Sequence, residues 1–177
     1  MLCMKKILVV VDMQKDFVNG ALGSADAEAI VPAAVKKISE FEGEIFLTLD
    51  THYDDYMETP EGKKLPVPHC IKDSDGWRLD ERISKALFGK SYTVVNKHTF
   101  GSVKLADLIE KSSANEELSI EIIGLCTDIC VVSNALILKA AFPNAAISVD
   151  SSCCAGVTPE KHRCALEVMK SCQIDVH

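Results

Sequence analysis

Short, unbroken runs of β-branched and aliphatic residues, each stopped by a polar side chain, constrain the fold of this chain more than any other feature. The clearest is Ile7-Leu8-Val9-Val10-Val11, five apolar residues in a row before Asp12. A strand wetted on one side alternates apolar and polar residues, whereas one covered on both faces reads as a continuous apolar run. Ile45 to Leu49, Tyr92 to Val95 and Ile120 to Ile123 have the same character, with Ala146 to Val149 as a shorter fifth and Ile174 to Val176 as a sixth. Between them the apolar period lengthens to threes and fours. Ile30, Val31, Ala34, Val35, Ile38 and Phe41 fall on one helical stripe, and Val103 to Ile109, Cys130 to Ala141 and Pro159 to Cys172 repeat the pattern. Thr158 is the expected N-cap of the last of these, with Pro159 at its first helical position. Strand and helix in regular succession predict an α/β fold: a mostly parallel sheet of about six strands with helices on both faces.

The 177 residues suit one domain, 1–177, and no low-complexity stretch or linker divides them. The formal charge of -7 repels nucleic acid and anionic membrane, which disfavours both as partners. No early apolar run is long enough for a signal-peptide core or a membrane span, so a cytoplasmic setting is expected. There the eight cysteines stay reduced, for packing, metal binding or catalysis. In open parallel sheets function collects at the C-terminal strand ends. The predicted strands end at Asp12, Asp50, Asn96-Lys97 and Gly124 to Cys130, each with a reactive side chain. From Thr51 to about Leu79 no periodicity is sustained, and a loop of that length in a compact domain is usually functional.

Cys130 opens an apolar helical run, so its sulfur is expected near a helix N-terminus, where the thiol pKa falls and free N–H groups can hold an oxyanion. Alone, it reads better as a buried core cysteine, since free Cys is among the most buried residue types. Asp12 and Lys97 at neighbouring strand ends supply the acid and the ammonium of a nucleophile site. Asp50-x-His52 and His69 form a second group, one carboxylate and two imidazoles, which suits Zn, Fe or Mn better than Ca or Mg. Sharing one ion is expected to need a turn after the strand. Taken blind, loop histidines at this spacing read also as surface hydrogen-bonders. Cys126, Cys130, Cys153 and Cys154 lack the paired spacing of a zinc ribbon. Cys164 and Cys172 are expected to pack on the last helix, and Cys3 belongs to the N-terminal tail.

With these residues in view, the chain resembles the isochorismatase-like cysteine hydrolases, in their nicotinamidase/pyrazinamidase branch. Asp12-Met13-Gln14-Lys15-Asp16-Phe17 resembles the opening D-x-Q-x-x-F motif, and Asp50-Thr51-His52 with Pro68-His69-Cys70 is similar to the metal motif. Lys97 matches the catalytic lysine, with Phe100 following. Gly124-Leu125-Cys126-Thr127-Asp128-Ile129-Cys130-Val131 is similar to the signature around the nucleophile. The resemblance implies an Asp12, Lys97, Cys130 triad, an oxyanion hole from the N–H groups of Cys126 and Cys130, and a cis peptide at Leu125-Cys126. It also implies a divalent metal on Asp50, His52 and His69, Zn first, with Fe or Mn as alternatives.

The implied activity is deamidation of nicotinamide through a thioester, in salvage of the nicotinamide cofactors, by an enzyme that is a monomer or a homo-oligomer. Two departures bear on the substrate. Pro66 stands where many such enzymes have the aromatic that walls the ring pocket, and Cys126 replaces the usual alanine. Phe17 and Phe100 are the expected ring contacts, with Trp77 standing in for the lost aromatic. Another small-amide or ureido hydrolase of the same family is the nearest alternative, and a non-catalytic thiol-rich redox or interaction protein the more distant one.

Overall fold

The computed structural model describes residues 4–113 and 116–177; Cys3 lies outside them. Six strands form one sheet: β1 (Lys5–Val11), β2 (Glu44–Asp50), β3 (Tyr92–Lys97), β4 (Leu118–Leu125), β5 (Ala146–Ala155) and β6 (Asp175–Val176). Their order is β3-β2-β1-β4-β5-β6, and every pairing is parallel. The chain therefore winds outward from β1 to one edge, returns, and winds to the other. Eight α-helices accompany the strands: α1 (Lys15–Val18), α2 (Ala25–Ala29), α3 (Val31–Glu40), α4 (Pro60–Lys64), α5 (Glu81–Ala86), α6 (Val103–Ser113), α7 (Val132–Ala141) and α8 (Pro159–Ser171).

The uninterrupted apolar run of β1 is explained by two cores. Ile7, Val9 and Val11 face a cluster with Leu105 and Ile109 of α6, Leu138 of α7 and Met169 of α8. Leu8 and Val10 face the opposite cluster, with Val31, Ala34 and Ile38 of α3 and Ile83 of α5. Successive side chains on a strand point to opposite faces, so both kinds must be apolar. Thr158 caps α8 as expected, its hydroxyl accepting from the Lys161 N–H at 3.2 Å, and Pro159 follows it.

Several expectations are corrected. β5 does not stop at Val149. It continues through Asp150, Ser151 and Ser152 to Ala155 because Lys37 pairs with Asp150 (2.9 Å) and the Ser151 N–H donates to the His177 carbonyl (2.8 Å). The segment after β2 is not irregular throughout: it holds a 3₁₀ turn at Tyr56–Glu58 and α4. Cys164 is exposed and does not pack, while Cys172 does lie against the core. At the end of β4, Gly124 has φ +122, and a Cβ there would stand 2.1 Å from the Val11 carbonyl oxygen. Only glycine lets β1 and β4 approach so closely at their C-terminal ends. None of the helices among the described residues is long and apolar enough to cross a membrane.

Candidate active site

Parallel pairing brings the C-terminal ends of β1, β2, β3 and β4 to one edge of the sheet. Asp12 follows β1 directly in the left-handed region (φ +48), a conformation that costs an ordinary residue free energy and that clusters at functional sites. Asp50 closes β2 and Lys97 closes β3, paired across the two strands in register. After β4 the Leu125-Cys126 peptide is cis, and Thr127–Val131 forms a π-turn that leads into α7. Cys130 sits inside that turn.

These ends converge on one ammonium. Lys97 Nζ lies 2.6 Å from Asp12 Oδ2, 3.4 Å from Asp50 Oδ1 and 3.3 Å from Cys130 Sγ. The Thr48 hydroxyl donates to Asp12 Oδ1 at 2.6 Å, and among the described residues Oδ2 has no partner besides the ammonium. Asp12, Lys97 and Cys130 are all buried. Burial would lower the Lys97 pKa, but the carboxylate of Asp12, the sulfur of Cys130 and the carboxylate of Asp50 outweigh it and keep it an ammonium. Burial pushes the Asp12 carboxyl above its usual range against the pull of Lys97. A raised pKa suits a carboxylate that has to accept a proton. For Cys130 the expectation from its place at a helix start is reversed. Burial and the Asp12 carboxylate push its thiol well up, and Lys97 only partly offsets them.

Asp50 also belongs to the second group. His52 Nε2 lies 3.1 Å and His69 Nε2 3.6 Å from its Oδ2. No turn is needed, because residues two apart on an extended chain face the same side. The His52 N–H donates to the Cys70 carbonyl and its own carbonyl accepts from Lys72, which ties the strand end to the segment carrying His69. Glu61 of α4 joins them, its Oε1 3.8 Å from both imidazoles. The four donor atoms lie within 4.8 Å of one another. The His69 Nδ1–H donates to the Val67 carbonyl (2.8 Å), so Nε2 offers its lone pair to the cluster. Burial would raise the Asp50 carboxyl, yet His52, His69 and Lys97 hold it well below the carboxylate range. Two carboxylates and two imidazoles, mutually close and largely buried, fit a divalent metal such as Zn.

Between the two groups opens a cavity of about 420 Å³ with Asp50, His69, Cys126 and Cys130 among its lining. Phe17 and Phe100 line it, and Leu22, Leu65 and Ile129 add aliphatic surface. Trp77 does not line it. Its indole N–H donates to the Thr51 hydroxyl at 2.9 Å and its ring packs against the core, so it replaces no aromatic wall.

Three residues without an assigned role in the sequence reading prove important. Glu61 carried no spacing signal. Gln14 is buried and exchanges hydrogen bonds with the backbone of Asp50, accepting from its N–H (2.8 Å) and donating to its carbonyl (2.9 Å). Asn134, a polar residue within an apolar helical run, donates to the Cys130 carbonyl (2.8 Å) and the Phe100 carbonyl (3.2 Å) and accepts from the Ser102 N–H. It was legible as the odd residue of its stripe.

Known proteins resemble this chain over most of its length. A Bacillus subtilis relative described as an uncharacterized isochorismatase family protein, PncA, is 28% identical over 151 residues, 75% of this chain and 78% of its own. The crystal structure of a Bacillus subtilis nicotinamidase/pyrazinamidase, PncA, superposes with a TM-score of 0.83 at 26% identity, covering 98% of this chain and 99% of that one. A Pyrococcus horikoshii pyrazinamidase solved in complex with zinc shares the fold, with a TM-score of 0.78 at 23% identity over 98% of each chain. The family described as Isochorismatase domain matches residues 6–177, and the chain belongs to that family.

Proposed function

We propose that this chain is a cysteine-dependent amidohydrolase that converts nicotinamide to nicotinate and ammonia. The observation that carries the reading is the meeting of Cys130, Lys97 and Asp12 beside one cavity whose lining includes Cys130 itself and, from the second group, Asp50, Glu61 and His69. A small-amide hydrolase needs a nucleophile, a proton acceptor and a charge-balancing cation within reach of one carbonyl. The likeness to the Bacillus subtilis nicotinamidase/pyrazinamidase supports the choice of amide.

Asp12 takes the thiol proton as Cys130 Sγ attacks the amide carbon. The N–H groups of Cys126 and Cys130 hold the oxyanion that forms. Asp12 returns the proton to the departing nitrogen, so ammonia leaves and a thioester remains. Asp12 then accepts a proton from water, whose oxygen attacks the thioester carbon; the acid leaves and Cys130 recovers its proton. Lys97 stays an ammonium throughout and balances the charge that moves between Asp12 and the sulfur. Asp50, His52, Glu61 and His69 would hold a divalent ion, which supplies a Lewis acid for the ring nitrogen. Phe17, edge-on to His69 at 5.5 Å, lies beside the ring. The reduced thiols suit a cytoplasmic enzyme of nicotinamide salvage.

Ammonia release from nicotinamide and benzamide tests the reading. Benzamide lacks the ring nitrogen, and a site built on a polar contact rejects such an analogue by up to about 10⁴-fold. Nicotinamide should be strongly preferred. Comparable rates would remove the ring-nitrogen contact, and hydrolysis of neither together with turnover of an aliphatic amide or a ureido acid would move the enzyme to another branch of the family.

A further inference from the structure

Burial sorts the cavity lining by depth. Asp50, His69, Cys130 and Phe17 are 3%, 2%, 5% and 8% exposed and form the floor, whereas Leu65 and Phe100 keep 37% and 45% exposure and stand at the mouth with the exposed Lys64, His98 and Thr99. Nicotinamide, with its carboxamide at Cys130 and its ring nitrogen toward Asp50 and His69, occupies the floor beside Phe17. It leaves the mouth unfilled. The volume of about 420 Å³ lies in the range of pockets that enclose ligands much larger than one ring and a carboxamide. Trp77, the aromatic that could have closed the space, is held away by its hydrogen bond to Thr51.

The direction of the free space follows from the ring. Carbon 3 bears the carboxamide and position 1 is the nitrogen, so carbon 5 is the ring atom that points away from both anchors. We infer that the site takes pyridine-3-carboxamides bearing an apolar group at carbon 5, and that Leu65 and Phe100 determine this preference by covering that group at the mouth. The inference rests on the nicotinamidase reading and extends it to a substrate class.

The test compares kcat/KM for nicotinamide and 5-propylnicotinamide, with ammonia release as the readout. The propyl compound should be favoured by about tenfold, through a lower KM, because its chain leaves water for the Leu65 and Phe100 side chains. Leu65→Ser and Phe100→Ser should each cut that ratio at least threefold. Both substrates are measured on one preparation, so any loss of folded enzyme cancels. Nicotinamide turnover with a ratio of one or below overturns the inference alone, as does a ratio that neither substitution changes. Turnover of neither pyridine, with ammonia released from an aliphatic amide, overturns the nicotinamidase reading and this inference with it.

Discussion

Around Lys97 three acidic groups share one ammonium, and the sign of each interaction sets what a substitution does. Asp12 opposes ionisation of Cys130, whereas Lys97, 3.3 Å from the sulfur, favours it. In Asp12→Asn the opposing charge is gone and the ammonium remains, so the thiol titrates lower. The midpoint of Cys130 alkylation by iodoacetamide, followed by peptide mapping over a pH series, should move down. Turnover should nevertheless fall by about 10²- to 10⁴-fold, since no group is left to receive the proton. An upward midpoint would contradict this electrostatic account. Glu61 offers a second residue-level check. Glu61→Ala should lower the metal retained after dialysis and raise KM more than it lowers kcat, because in the proposed mechanism the ion would position the ring and not attack it. Full metal content with an unchanged KM would remove Glu61 from the site.

Whether an element is legible in the sequence depends on its having enough length for a period. The strands around β1 and the longer helices α3, α6, α7 and α8 are legible, because a face repeated over several turns leaves a pattern. α1, α2, α4 and α5 span only four to six residues, too short for a stripe, and were not foreseen. α5 is instead fixed by its start. The Asp80 carboxylate accepts from the Arg82 N–H (2.8 Å) and from the Arg82 guanidinium (2.9 and 2.8 Å), while the Asp80 N–H donates to the Met13 carbonyl (2.9 Å). The Arg82 hydrogen bonds outweigh burial and hold Asp80 below the usual carboxylate range. A lowered folded-state pKa gives stability that is present above the unfolded value of about 3.9 and is lost as pH falls through the folded value. Asp80→Ala should therefore cost about 1 kcal/mol at pH 7, about 2–4 °C in Tm. Thermal melts should show the gap from wild type closing below about pH 4. A gap independent of pH would contradict the charge-based cap.

For the whole molecule, topology does what no single motif does. An all-parallel sheet sends every C-terminal strand end to one edge, so Asp12, Asp50, Lys97 and Cys130 meet although they are far apart in the chain. That meeting was readable from the strand ends and the resemblance together, although the ends carrying Asp12 and Lys97 are not neighbours as expected, because β2 lies between β1 and β3. The path of the segment between β2 and α5 was not, since it depends on contacts such as Trp77 to Thr51 and Tyr56 to the Leu65 carbonyl (2.8 Å) that leave no periodic trace. Glu61 was missed and Trp77 misplaced for that reason. Burial of Cys130, which the sequence offered only as the alternative to a helix-start thiol, reverses the expected direction of its titration. Every step of the proposed reaction depends on Cys130 as the nucleophile. Ammonia release from nicotinamide by Cys130→Ala tests it most directly, with metal content and Tm measured on the same protein. We predict no release above the uncatalysed background while metal and Tm stay near wild type; wild-type turnover by that variant would contradict the account.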